Sequence, residues 1–251
     1  MTVNEFYKFL CERIPESLTL AGDHDGMSCC PDPEREVTKV LIALDCTSAV
    51  VDEAIEEECE VILTHHPMLF GGISEVCAGE YRSDKLIKLI KNDIAVMSFH
   101  TRLDALDGGV NDMLSSLLGL KNVTKFGENG LCRLGELEAP VFTEELAYFV
   151  KNTLMCPFVE YSDAERPIKK VAVCGGSGKS VINDAIAAGA DVLISGEFGH
   201  HPLTDSADMG ISLISAGHFF TENPVCAKLF ELCAEADVLA FMTFSNRVGA
   251  I

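Results

Sequence analysis

The sequence predicts an α/β protein made of two related α/β domains, each a mixed sheet flanked by helices. Three observations lead there. Short continuous apolar runs bounded by charge alternate with helical periodicities, the pattern of strands covered on both faces. The 251-residue chain also matches itself when displaced by 131 residues: residues 37–43 fall on 168–174, 50–55 on 181–186 and 60–64 on 191–195. One register held across so many positions reads as an internal duplication. Finally, six of the seven histidines (His65, His66, His100, His200, His201 and His218) follow a predicted strand within a few residues. Functional crevices of α/β sheets lie outside the carboxyl ends of their strands.

In chain order, helical spacing of apolar residues predicts a first helix over 3–13. The run 37–43 is a strand, and 52–58 is a polar-faced helix with Ala54 and Ile55 turned inward. A second strand, 60–64, runs into His65-His66-Pro67. A helix over 84–92 precedes a third strand, 94–99, which leads to His100. Helices over 109–118 and 144–154 follow. The strand 168–174, the helix 182–188 and the strand 191–195 form the second copy, which reaches His200-His201-Pro202 after four extra residues. The strand 211–216 leads to His218, and a helix over 224–236 and a strand over 238–244 end the pattern. Pro224 fits only the first turn of a helix, so the last helix is expected to start near Thr221 as its N-cap. His218 and Glu222 would then span a strand-to-helix loop, with Glu222 in the first turn where the helix dipole favours a carboxylate.

Composition narrows the function. Thirty-nine acidic residues against nineteen basic give a net charge of -20, a field that disfavours non-specific binding of nucleic acid. The 48 % apolar and 23 % charged content is that of a folded soluble chain rather than a disordered one. No apolar run reaches the ~18 to 20 residues of a membrane helix. The N-terminus, Met1 to Glu5, has no basic start and no apolar h-region, so a cytoplasmic protein is expected. The eleven cysteines contain no Cys-x-x-Cys pair; Cys46, Cys174, Cys226 and Cys233 sit inside apolar segments and read as reduced core thiols. The vicinal pair Cys29-Cys30, beside Pro31 in an expected loop, is the one pair with the chemistry for metal binding or redox sensing.

Histidines and carboxylates at the strand ends carry the chemistry. On a regular strand, His65 and His66 face opposite ways, so one metal ion would not easily take both, whereas two neighbouring ions would. Asp104 lies four residues past His100, in a loop leading to Gly108-Gly109. Together, His65, His66, Asp104, His218 and Glu222 form a ligand set for two divalent metal ions, with one carboxylate bridging. Imidazole and carboxylate suit zinc, iron, manganese or cobalt. About three protein ligands per ion leave positions open for water, as in catalytic sites. Such ions acidify water and polarise an electrophile. Glu197, His100 and His201 are the candidates for acid–base work or for orienting the ligands, and Asp45 for a hydrogen bond to a ligand histidine. The stretch Gly175 to Ser180 is not a Walker A loop, because Val173 stands where that motif needs glycine. It reads as a tight turn in which Ser177 and Gly176 contact an anionic substrate.

The set Thr64-His65-His66-Pro67, His100-Thr101-x-Leu103-Asp104, Gly108 to Asp112, Cys174 to Gly178, Ser195-Gly196-Glu197 with His201, and Gly217-His218-x-x-Thr221-Glu222 resembles the Nif-three-like dinuclear metal-centre family. Many members of that family carry the name GTP cyclohydrolase I type 2 homologue. The resemblance implies two intertwined α/β domains with the metals in a cleft between them. It also implies that the five named residues are the ligands and that the protein is a homohexameric ring of dimers. This chain has the short form, without the middle domain of longer members. We expect residues 1–125 plus 216–251 to form a metal-bearing domain and 126–215 a second one. Two departures from the family pattern stand out: Gly22-Asp23-His24-Asp25-Gly26 replaces Trp-Asp-Asn-x-Gly, and Arg102 replaces an asparagine. Three functions fit: a dinuclear metal-dependent hydrolase of a nucleotide or related small molecule, a metal chaperone or homeostasis protein without catalysis, and a ring-forming regulatory scaffold.

Overall fold

A computed structural model describes residues 1–249. The chain forms two compact units, Met1–Leu103 with Val225–Arg247, and Asp104–Pro224 with the residues from Val248. In the first unit α1 (Val3–Arg13) opens with a capping box: the Thr2 hydroxyl accepts from the Glu5 amide and the Glu5 carboxylate from the Thr2 amide, which satisfies two amides that a helix end leaves without partners. Its buried face is Val3, Phe6 and Leu10. The chain then runs through β1 (Gly26–Cys29), β2 (Lys39–Ala43), α2 (Ser48–Glu56), β3 (Val61–Thr64), α3 (Tyr81–Lys91) and β4 (Ala95–Ser98), and leaves through the short α4 (Thr101–Ala105).

In the second unit follow α5 (Val110–Leu117), β5 (Lys121–Phe126), β6 (Cys132–Val141), α6 (Thr143–Thr153), β7 (Glu160–Ser162) and β8 (Ile168–Ser177). Next come α7 (Ile182–Ala187), β9 (Val192–Glu197), α8 (His200–Asp205), β10 (Ser212–Ser215) and α9 (His218–Glu222). The last elements, α10 (Cys226–Glu235) and β11 (Leu239–Met242), rejoin the first unit.

Both sheets are mixed. The first has the order β1-β4-β3-β2-β11, antiparallel only at β1. The second has the order β5-β6-β8-β9-β10-β7, with β8, β9 and β10 parallel and the other pairs antiparallel. Every residue of β3 and β4 is buried, as the unbroken apolar runs require. Val40↔Val61 through Ala43↔Thr64 pair β2 with β3, and Val171↔Val192 through Cys174↔Ser195 pair β8 with β9, the same register 131 residues on.

Several elements begin or end where local chemistry overrides periodicity. Helix α2 starts at Ser48 rather than 52 because Thr47 caps it by accepting from the Val50 amide at 3.3 Å; α3 starts at Tyr81 because Glu80 accepts from the Ser83 amide at 2.8 Å. The expected N-cap at Thr221 is corrected: His218–Glu222 is itself a helical turn, and Pro224 sits in the tight turn Asn223–Val225 that separates it from α10. Proline here stops one helix before the next begins, which equally accommodates its missing N–H. The two units also divide at 103/104 and 224/225 rather than at 125 and 216. Helix α5 packs on β6 and β8, and α9 on β8 and β9, so Asp104, His218 and Glu222 belong with the second sheet. Among the described residues no helix is long and apolar enough to cross a membrane.

Candidate functional site

The first unit gathers three histidines. Strand β3 ends at Thr64, and the chain bends at once: the His66 amide donates to Leu44 O at 3.0 Å and the Thr64 hydroxyl to His66 O at 2.8 Å. Strand alternation therefore stops before the histidines, and the expectation that their side chains diverge is corrected. The rings of His65 and His66 are 4.8 Å apart by centroid, with His100 at 5.2 Å from the first and 5.7 Å from the second. One ring nitrogen from each lies within 4.8 Å of the other two.

Each Nδ1 has an oxygen acceptor: Phe99 O for His65 at 2.9 Å, Asp45 Oδ1 for His66 at 2.8 Å and Asp23 Oδ1 for His100 at 2.8 Å. An Nδ1–H donated to oxygen makes Nε2 the basic nitrogen, the arrangement found around metal-ligating imidazoles. Burial alone would raise the Asp23 carboxyl. Hydrogen bonds from His100 and from the Thr101 hydroxyl and amide outweigh it and hold Asp23 well below the usual carboxylate range.

Arg102, one departure from the family pattern, has its ion-pair partner inside the stretch that carries the other, Gly22 to Gly26. Arg102 Nε meets Asp25 Oδ2 at 2.7 Å, with side chains only 1 % and 3 % exposed. The guanidinium also donates to Ile14 O at 3.1 Å and lies 4.4 Å over the Phe99 ring. Asp25 accepts in turn from the His100 amide at 3.2 Å. A buried arginine demands such compensation, and here the compensation fixes the backbone at His100.

The second unit gathers Asp104, His218 and Glu222. Gly217, at φ 83°, turns the chain from β10 into α9, a backbone geometry suited to glycine. On α9 the i, i+4 spacing sets His218 Nε2 3.0 Å from Glu222 Oε2, while His218 Nδ1 lies 3.3 Å from Glu197 Oε1. The Asp104 and Glu222 carboxylates come within 4.8 Å of one another. Their negative field contributes to raising the Cys174 thiol, after its hydrogen bond with Cys132 and its burial. The segment after Asp104 is held by fully buried Arg133, which donates to Ala105 O and Leu106 O and pairs with Asp112.

The glycine stretch has a different task from the one its sequence suggests. The Gly175 amide donates to Asn111 Oδ1 at 2.8 Å and the Gly176 amide to Thr221 Oγ1 at 3.1 Å, so neither is directed at an anion. A Cβ on Gly176 would lie 2.2 Å from Glu222 Oε1 and 3.1 Å from His218 Nε2. Glycine is required there because the two candidate ligands occupy the space of a side chain. Ser177 is exposed and pairs in register with Glu197 on the neighbouring strand. His201 does not join this group: it is exposed on α8, and its ring lies 5.7 Å from that of His200. Cys29 ends β1 and is buried, which pushes its thiol up to about 11. Asn111 and Asp23, which orient neighbours of the candidate ligands, fall in stretches that the sequence marks as motifs, but the sequence assigned neither of them a role.

The donor chemistry fits divalent transition ions. Three imidazoles gather in one unit, and two carboxylates with one imidazole in the other. The 3.0 Å between His218 Nε2 and Glu222 Oε2 matches two ligands of one ion at ~2.0 to 2.2 Å each. An α/β fold with imidazole and carboxylate donors at its strand ends defines a class of candidate metal proteins. The chain belongs to the Duf34/NIF3 (NGG1p interacting factor 3) family, whose model matches residues 1–247.

Among its relatives, the GTP cyclohydrolase 1 type 2 homolog of Clostridium perfringens is 36 % identical over 242 residues, 94 % of this chain and 92 % of that protein. The protein of the same name from Clostridium acetobutylicum is 37 % identical over 228 residues, covering 86 % and 85 %. Among solved structures, protein ybgI, described as of unknown function, superposes with a TM-score of 0.89 at 26 % identity, covering 99 % of this chain and 100 % of that one. Reduced HcgD from Methanocaldococcus jannaschii gives 0.85 at 29 % identity, covering 96 % and 97 %.

Proposed function

We propose that the protein is a dinuclear, divalent-metal-dependent hydrolase acting on a nucleotide or a related small molecule. The observation that carries this reading is the pair of donor groups at strand ends, His65 and His66 in one unit and Asp104, His218 and Glu222 in the other, joined to orienting acceptors. When bound, two divalent ions supply an acidified water and a Lewis acid for the substrate's electrophile. The protein's own part is to fix the ligands and manage protons. Asp45 and Phe99 O hold the two histidines in the tautomer that presents Nε2. Glu197, whose side chain is 58 % exposed beside His218, is the proposed group that takes or gives a proton at substrate. Ser177, its register partner, is the proposed substrate contact. The name carried by the relatives directs the choice of substrate toward nucleotides.

The test is turnover of a panel of purine and pyrimidine nucleotides and phosphorylated heterocycles by metal-saturated protein. Hydrolysis of at least one member is expected, with kcat reduced ~10²-fold or more in Glu222→Ala and 10 to 10²-fold in Glu197→Gln. No turnover of any member, or full activity in Glu222→Ala, would overturn the reading.

A further inference from the structure

We propose that Phe70 and His24 form a stacking shelf for the heterocyclic ring of the substrate, beside His100. This rests on the nucleotide reading above and adds to it the residues that select the ring. Phe70 is 64 % exposed, yet its flanks are anchored: Met68 is buried, and Leu69 and Ile73 pack against the core of the first unit. The Gly72 amide donates to Leu69 O at 3.2 Å, and Gly71 has φ 81°. Positive φ at the third position only, with that hydrogen bond, makes Leu69–Gly72 a type II turn with Phe70 at its corner. The phenyl ring is therefore held out by a fixed turn between β3 and α3.

Two imidazoles stand against it. The His24 ring centroid lies 5.2 Å from that of Phe70 at an interplanar angle of 75°, and the His100 centroid 6.4 Å away at 87°. One oxygen ties both histidines together: Asp23 Oδ1 accepts from the His24 amide and meets His100 Nδ1, each at 2.8 Å. The Asp23 side chain is only 3 % exposed, so the shelf and His100 share a rigid mount. His24 occupies the position where the family pattern has asparagine, which makes the second ring of the shelf a departure of this chain. The ligand class follows from the surface. Exposed aromatic faces with few polar groups suit a flat π-system, and base stacking on an aromatic side chain tolerates any base because each has a π-face. Such a contact needs no positive charge, so the net charge of -20 does not oppose it.

The chain has no tryptophan, so Phe70→Trp supplies a single fluorophore on the shelf. Guanosine, adenosine and cytidine 5′-monophosphates are expected to quench it, and ribose 5-phosphate, which has no heterocycle, is not. Calorimetry on metal-saturated protein measures the same preference without a reporter. Phe70→Ala is expected to weaken binding of the nucleoside monophosphates ~5- to 10²-fold while leaving that of ribose 5-phosphate as in the wild type. His24→Asn is expected to cost about 2- to 10-fold. Both variants should keep the wild-type metal content, which separates a substrate contact from a structural role. Where a nucleotide is turned over, the loss in Phe70→Ala should fall on KM more than on kcat. The proposal is overturned if no nucleotide quenches the Phe70→Trp protein, or if Phe70→Ala binds nucleotides as the wild type does. Turnover by the wild type alongside either result would leave the hydrolase reading standing. Quenching and a weakened Phe70→Ala, with no member of the panel hydrolysed, would support the shelf and sink that reading.

Discussion

The tripeptide His-His-Pro occurs twice, at 65–67 and at 200–202, and the two copies end in different chemical settings. After β3 the first copy bends back under β2, so that His65 is fully buried and both rings hydrogen-bond an oxygen acceptor. Strand β9 runs on through Gly196 and Glu197, Phe198-Gly199 follow, and the second copy forms the exposed start of α8, where the two rings contact one another. Four inserted residues are enough to move the tripeptide from a supported pocket to a solvated helix. The difference teaches that a histidine becomes a candidate ligand through the group that holds its other nitrogen, and sequence motifs do not record that group.

The comparison can be broken most forcefully at its foundation. Arg102 and Asp25 are almost fully buried, so Asp25→Ala leaves an uncompensated charge and is expected to lower stability by ~3 to 5 kcal/mol, measured by urea denaturation; a change under ~1 kcal/mol would show that the pair does not anchor this region. Next in size, His65→Ala should weaken metal binding by ~10² to 10³-fold, an expectation set by losing a ligand whose mere supporting groups are worth 10 to 10²-fold. Asp45→Asn, which leaves His66 in place but removes its orienting carboxylate, should cost 10 to 10²-fold in the same titration. Smallest of all, His200→Ala and His201→Ala should leave metal affinity within about twofold of wild type, as surface substitutions away from a site do. A large loss in either would make the two tripeptides equivalent after all.

Much of the architecture was legible because the buried strands are unbroken apolar runs: β2, β3, β4 and β10 fall within the expected segments, and β8 and β9 begin inside theirs but run on to Ser177 and Glu197. Strands β1, β5, β6 and β7 were not expected; of these, Lys121–Phe126 is almost wholly exposed and Glu160–Ser162 is a three-residue edge, neither of which has a periodic apolar face to announce it. The candidate donors were legible as residue types following strands. Their grouping was not: His65 and His66 converge through a bend that lies beyond the last strand residue, and His218 and Glu222 share a helical turn that Pro224 ends rather than begins. The pairing of Asp25 with Arg102 joins positions 77 residues apart in sequence, and no local signal connects them. Nor does the negative net charge predict the two carboxylates that matter, because most of the acidic residues are solvated surface.

The central claim is that these donors hold two ions. Elemental analysis of metal-saturated wild-type protein beside Glu222→Ala tests it most directly. The account predicts about two equivalents per chain in the wild type and no more than about one in the variant. Two equivalents retained in Glu222→Ala, or none bound by the wild type, would contradict it.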